Sequence, residues 1–227
     1  MGATRTYLLY ALGEIALVVI GILIALQINN WNEWRKDRIR EKIVLQNLAQ
    51  NLEKNIDILN EAIIIIENYN QSSEMVVSFF EKKLAYHDSL DRHFFLAILP
   101  GLMQGNLTYD GYEFFKNEGF EIVQSESLGK MVIQTFEVAY RSLEQWKATM
   151  LNFQPVFIEL RHAEFVQYDG KMTPQNTTDL SNNMDVRSAY NMAYTTRKTF
   201  LGNLKECKNV SMVALESVTE ELTRMDQ

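Results

Sequence analysis

The chain has 227 residues and a formal net charge of −7. An acidic chain without a dense lysine and arginine block lacks the basic face that nucleic-acid binding requires, so no nucleic-acid partner is expected. Hydrophobic residues make up 47% of it, which excludes a disordered chain, and the single cysteine, Cys207, excludes an internal disulfide or a cysteine-based zinc cage.

Residues 7–28 read YLLYALGEIALVVIGILIALQI. At helical rise they extend about 33 Å, the thickness of a bilayer's hydrocarbon core. Tyr7 and Tyr10 flank one end and Trp31 and Trp34 the other, where amphipathic rings settle at a membrane surface. Arg35, Lys36, Arg38, Arg40 and Lys42 come directly after. Glu14 interrupts the apolar run and Leu23 stands where a signal peptidase needs a small residue, so the pattern predicts an uncleaved transmembrane anchor. A carboxyl group at the depth of Glu14 normally faces protein or water. Ala11, Glu14, Val18, Gly21, Ala25 and Ile28 recur at steps of three and four on one helix face, with Gly21 and Ala25 as a small-xxx-small pair. That face is the candidate seam for self-association.

The stretch Asn29–Glu33 contains no proline or glycine, so the membrane helix is predicted to continue over residues 35–70. Leu45, Leu52, Leu59 and Ile66 repeat every seven residues, with Ala49, Ile56 and Ile63 in the alternate position. Such a seam suits a second chain or a helix of the same domain equally well. A break is expected at residues 70–73, a second helix over 74–86 and a third over 89–99, ending at Pro100-Gly101. Between these two lie His87, Asp88, Asp91 and His93, which lack a third ligand at metal-binding spacing. Residues 109–120 read as a short aromatic helix ended by Gly119, with Tyr112, Phe115 and Phe120 in the core. Ser125 caps a predicted helix reaching Phe153, with Leu128, Val132, Phe136, Ala139, Leu143, Trp146 and Met150 on its apolar face. Pro155 opens the next helix, expected to end near Tyr168-Asp169-Gly170. Residues 169–184 read as a polar loop, and Asp185 starts a final helix with Leu201, Leu204, Leu215, Val218 and Leu222 on one face.

No phosphate-cradling glycine loop, nucleophile elbow or His-Glu-x-x-His is present, and no residue is named as catalytic, cofactor-binding or metal-ligating. Three blocks stand out in the anchor: Gly13-Glu14-Ile15, Val19 through Gln27, and Asn29 through Glu33. A second set lies mid-chain: Tyr112-Glu113-Phe114-Phe115-Lys116, then Ile122 and Ser125-Glu126-Ser127-Leu128. On these residues the chain resembles a family of uncharacterised membrane-anchored helical proteins common in Bacteroidota. The resemblance implies coverage of nearly the whole chain and a bacterial origin. It carries no activity and no catalytic residue.

The expected fold is all-α: residues 1–42 form a transmembrane anchor with a basic flank, and residues 43–227 an up-and-down helical bundle with a long first helix. The expected location is a bacterial inner membrane, crossed once. Five basic residues after the span against Arg5 before it place the domain in the cytoplasm, whereas the longer basic tail of many relatives implies the opposite side. The expected function is a non-enzymatic interaction module with a protein partner or a second copy. The alternative is a ligand- or substrate-binding bundle with a buried polar pocket, which would involve His87, His93, Tyr109 and Tyr112.

Overall fold

The computed structural model describes every residue except Met1, Pro100, Leu102, Gln104 and Phe153, and also leaves out the side chains of residues 2–12, 154 and 156. The aromatic flank at Tyr7 and Tyr10, Ala11 of the seam face, Pro100 and Phe153 therefore lie, in side chain or altogether, outside the described residues.

The frame is a pair of long helices, α1 (Gly2–Phe80) and α8 (Met184–Met225). They run antiparallel: Lys42 meets Asp226 at one end, Glu67 meets Lys205 at 2.6 Å midway, and Glu74 meets Tyr194 at the other end. Between them the chain makes α2 (Leu90–Ile98), α3 (Asp110–Glu118), α4 (Glu126–Ile133), α5 (Arg141–Asn152), α6 (Gln154–Glu164) and α7 (Thr177–Asn182). The architecture is an all-α bundle with one small hairpin added.

The heptad stripe packs inside its own domain. Leu45, Leu52, Leu59 and Ile66 are all 0% exposed, against a core shared with α3, α4, α5 and the second half of α8. That stripe is therefore closed to a second chain. A separate core gathers Val76, Phe79 and Phe94 with Phe165, Met172 and Tyr190.

The break expected at residues 70–73 is absent, and α1 runs straight through. Polar residues weaken a helix when their side chains compete for backbone groups. Here Asn70 and Ser73 are buried and accept from the Arg197 guanidinium on α8, and the Ser73 hydroxyl donates to the Tyr69 carbonyl at 3.0 Å without interrupting the helix. Helix α1 stops at Phe80 instead of reaching residue 86. Lys82 takes the left-handed conformation (φ 58°), its N–H bonds the Phe79 carbonyl at 3.0 Å, and the Lys83 N–H bonds that of Ser78 at 3.0 Å. This is a Schellman stop built on lysine where glycine is usual.

The expected helix from Ser125 begins as predicted, with the Ser125 side chain accepting from the Leu128 N–H. It is interrupted by a π-helical segment, Gln134–Tyr140. The wider turn brings Thr135, Phe136 and Tyr140 all fully inside and leaves Ala139 half-buried. Phe120, expected in the core, is 45% exposed.

Two further expectations are corrected. Helix α6 ends at Glu164, and β1 (Phe165–Tyr168) pairs antiparallel with β2 (Lys171–Pro174). Asp169 and Gly170 turn the hairpin with positive φ at both positions (47° and 69°), the geometry Asp-Gly favours. The stretch read as a polar loop thus contains a strand and α7. Each helix after it starts on an asparagine: Asn176 accepts from Thr178 and Asp179 N–H, and Asn183 from Asp185 and Val186 N–H.

Candidate functional site

The feature without an explanation inside the fold is the first part of α1. Every described side chain from Gly13 to Asp37 is exposed, and burial begins at Glu41. Ile15, Leu17, Ile22, Leu23 and Ile28 are each more than half exposed, as are Trp31 and Trp34. Apolar side chains in water cost about 25 cal/mol per Å², so an apolar rod of this length is stable only when something covers it. The helix is long and apolar enough to cross a membrane.

On the seam face, Val18 and Ile28 are 58% and 61% exposed, and a Cβ added at Gly21 would meet nothing within 4 Å. Val19 on the opposed face is also open, at 47%. Both faces are thus free in the single chain, and Gly21 leaves room for a close backbone approach.

Immediately behind lies a collar that fastens this helix to the domain. Glu41 is 0% exposed; it accepts from the Arg38 guanidinium at 2.5 Å and from the Gln124 N–H at 2.8 Å. Arg38 also reaches Glu221 on α8 at 3.9 Å, Arg224 pairs with Glu221 at 3.3 Å, and Lys42 pairs with Asp226. The Lys42–Asp226 pair is exposed and contributes little. Glu41 differs because its burial demands these partners. The start of the packed part of α1 and the end of α8 therefore meet where the exposed helix leaves the bundle.

Of the residues of the alternative reading, Tyr109 and Tyr112 meet on Phe136, while His87 and His93 lie elsewhere. Tyr112 stacks on Phe136 at 4.6 Å, and Tyr109 packs edge-on to Phe136 and Tyr140. Burial pushes both phenols well above their ordinary range. Their hydroxyls are buried with no hydrogen-bond partner among the described residues. His93 lies far along the molecule against Ser72 at 3.2 Å, and His87 against Ser89 at 3.3 Å. Asp91 accepts from Tyr86 at 2.9 Å and from Thr173, which ties α2 to the hairpin. Burial also pushes the Cys207 thiol up to about 12, which leaves it protonated and unreactive at neutral pH. No group of three His, Cys, Asp or Glu side chains is placed to hold a metal among the described residues.

The model of a family of unknown function (DUF6090) matches residues 14–132, just over half of the chain. The chain belongs to that family. The match starts at Glu14 inside the apolar rod and takes in the collar residues of α1, the heptad stripe, α2, α3 and most of α4. The π-helical segment, the hairpin and α8 lie beyond it. No curated protein and no solved structure matches the chain.

Sequence reasoning found the rod, from composition, and the basic residues after it. It missed the partners that complete the collar. Glu221, Arg224 and Asp226 are remote in sequence, and no local pattern marks them.

Proposed function

We propose that this protein is a membrane-anchored helical interaction module, a scaffold, sensor or accessory subunit held in a bacterial inner membrane by one helix. The observation that carries the reading is the fully exposed apolar rod continuous with α1 and fastened to the domain at Glu41. A rigid connection lets an event in the bilayer or at the domain be felt at the other end, which a flexible linker would not do. The reading assigns no catalytic residue and no cofactor.

The partner within the membrane is a second copy of the chain. Lipid tails are as apolar as leucine, so helices in a bilayer associate through close packing and polar contacts. The Glu14, Val18, Gly21, Ala25 and Ile28 face offers both, with Ala11 continuing it in sequence. The experiment is crosslinking of the full chain in membranes. The parent should form dimers, Gly21→Ile and Glu14→Leu should each reduce them severalfold, and Val19→Leu should leave them unchanged. A monomeric parent, or three variants that all behave as the parent does, would remove the seam. Pull-down from detergent extracts then tests the domain: recovery of a partner protein that depends on residues 43–227 supports the module, and recovery of none contradicts it.

A further inference from the structure

The whole chain is acidic, yet one groove on it is not. At the collar, α1 and the last turn of α8 enclose a groove of about 500 Å³. Arg35, Arg38, Lys42 and Arg224 line it with Trp34 and Met225, and no carboxylate is among its lining residues. Of the paired carboxylates, Glu41 is wholly buried and Glu221 is 15% exposed, so both lie behind the cations; Asp226 is exposed and engages Lys42. Arg35 is in none of the ion pairs among the described residues, so its charge is unspent.

We infer that this groove holds the phosphate headgroup of an anionic phospholipid. The inference rests on the membrane-anchored reading and gives it a ligand. Trp34 lies six residues past Ile28, about 9 Å along the helix, so the groove's lower rim falls near headgroup height when residues 7–28 fill the hydrocarbon core. Side chains on a helix lean toward its N-terminus, which on α1 is the direction of the bilayer. Of the groove's α1 cations, Arg35 is the one left to reach toward the lipid phosphates, since Arg38 engages Glu41 and Glu221 and Lys42 engages Asp226. Arginine's planar fork suits a phosphate diester, while Trp34 and Met225 give the glycerol and upper acyl carbons an apolar wall. A dense basic flank beside a membrane helix attracts anionic lipid through charge alone. What the groove adds is a fixed arrangement that selects particular arginines.

The test uses the full chain in mixed micelles with equal phosphatidylglycerol and phosphatidylcholine, and counts the lipids retained after washing by native mass spectrometry. The parent should retain phosphatidylglycerol preferentially. Loss of two charges near a lipid surface, Arg35→Gln with Arg224→Gln, should cut that preference about 25-fold. Arg40→Gln, exposed and outside the groove, should cost no more than the roughly fivefold share of one charge. Equal retention of both lipids by the parent, a double variant that matches the parent, or an Arg40→Gln that loses as much as the double variant would each overturn the groove. Complete displacement by inorganic phosphate would overturn the lipid as its occupant. Carbonate washing separates this failure from that of the anchor: release of the chain from membranes sinks the anchor, whereas an inserted chain without lipid preference sinks only the groove.

Discussion

Arg197 stands between the two cores. On α8 it follows Ala193 of one core and precedes Phe200 of the other; on α1 its partners Asn70 and Ser73 sit between Ile66 and Val76. The side chain is 0% exposed and no acidic group pairs with it among the described residues. Its guanidinium donates to Ala97 O at 2.8 Å and to Leu99 O, the carbonyls at the C-terminal end of α2, where the helix dipole is negative. Nε donates to Asn70 Oδ1 at 3.3 Å and a terminal nitrogen donates to Ser73 Oγ. Burial lowers its pKa to about 10, still far above neutrality, so the charge persists. One side chain thus fixes the register of α1 on α8 and the end of α2. Arg197→Ala should destabilise the chain by about 3 kcal/mol or more, since several buried acceptors lose their donor. Arg197→Lys should recover only part of this, because an ammonium lacks the planar fork. Thermal unfolding followed by circular dichroism in detergent checks it against the exposed Arg92→Ala, which should shift little. Equal midpoints for Arg197→Ala and Arg92→Ala would contradict this role for Arg197.

Between elements, the contact of α3 with α1 shows what a sequence displays and what it hides. The buried faces of both helices were legible: Leu45, Leu52 and Leu59 by their heptad spacing, Tyr112 and Phe115 by aromatic content. The means of joining them was not. Helix α3 has no side-chain cap of its own. Asn51 on α1 supplies one, accepting from the Gly111 N–H at 3.1 Å and the Tyr112 N–H at 3.3 Å. Asn55 pairs with the backbone of Thr108 in both directions at 2.8 Å. In the sequence these asparagines look like solvent positions of a heptad, because their partners lie more than fifty residues away. Gly111 has the same history: a Cβ there would meet Asn47 O at 2.4 Å, so the two helices touch through it. Gly111→Ala should cost about 2 kcal/mol, the range for forced overpacking. Gly202, exposed on α8 with nothing within 4 Å, should do the reverse, and Gly202→Ala should stabilise by about 1 kcal/mol. Unfolding midpoints that move in the same direction for both would contradict this packing. The hairpin was different, since its signal was present. Asp169-Gly170 between Phe165-Val166-Gln167-Tyr168 and Lys171-Met172-Thr173 is a hairpin sequence, and reading it as a helix end let position after Pro155 outweigh turn chemistry. The π-helical segment and the lysine-based stop at Lys82 carry no such mark, because tertiary packing selects both.

At the scale of the whole molecule, antiparallel α1 and α8 bring the end of the chain back beside the point where the apolar rod emerges. The rod was the most legible part of the protein, since length and composition alone define it. The groove beside it was the least legible, since Arg224 and Met225 reach it from the far end of the chain. Everything proposed for this protein depends on that rod lying in a bilayer. Carbonate extraction of membranes from cells making the full chain tests this directly. The parent should stay in the membrane pellet, and Ile20→Arg combined with Leu23→Arg, about 5–7 kcal/mol less favourable on insertion scales, should appear in the supernatant. A parent released by carbonate, or a double variant that stays in the pellet as the parent does, would contradict that placement.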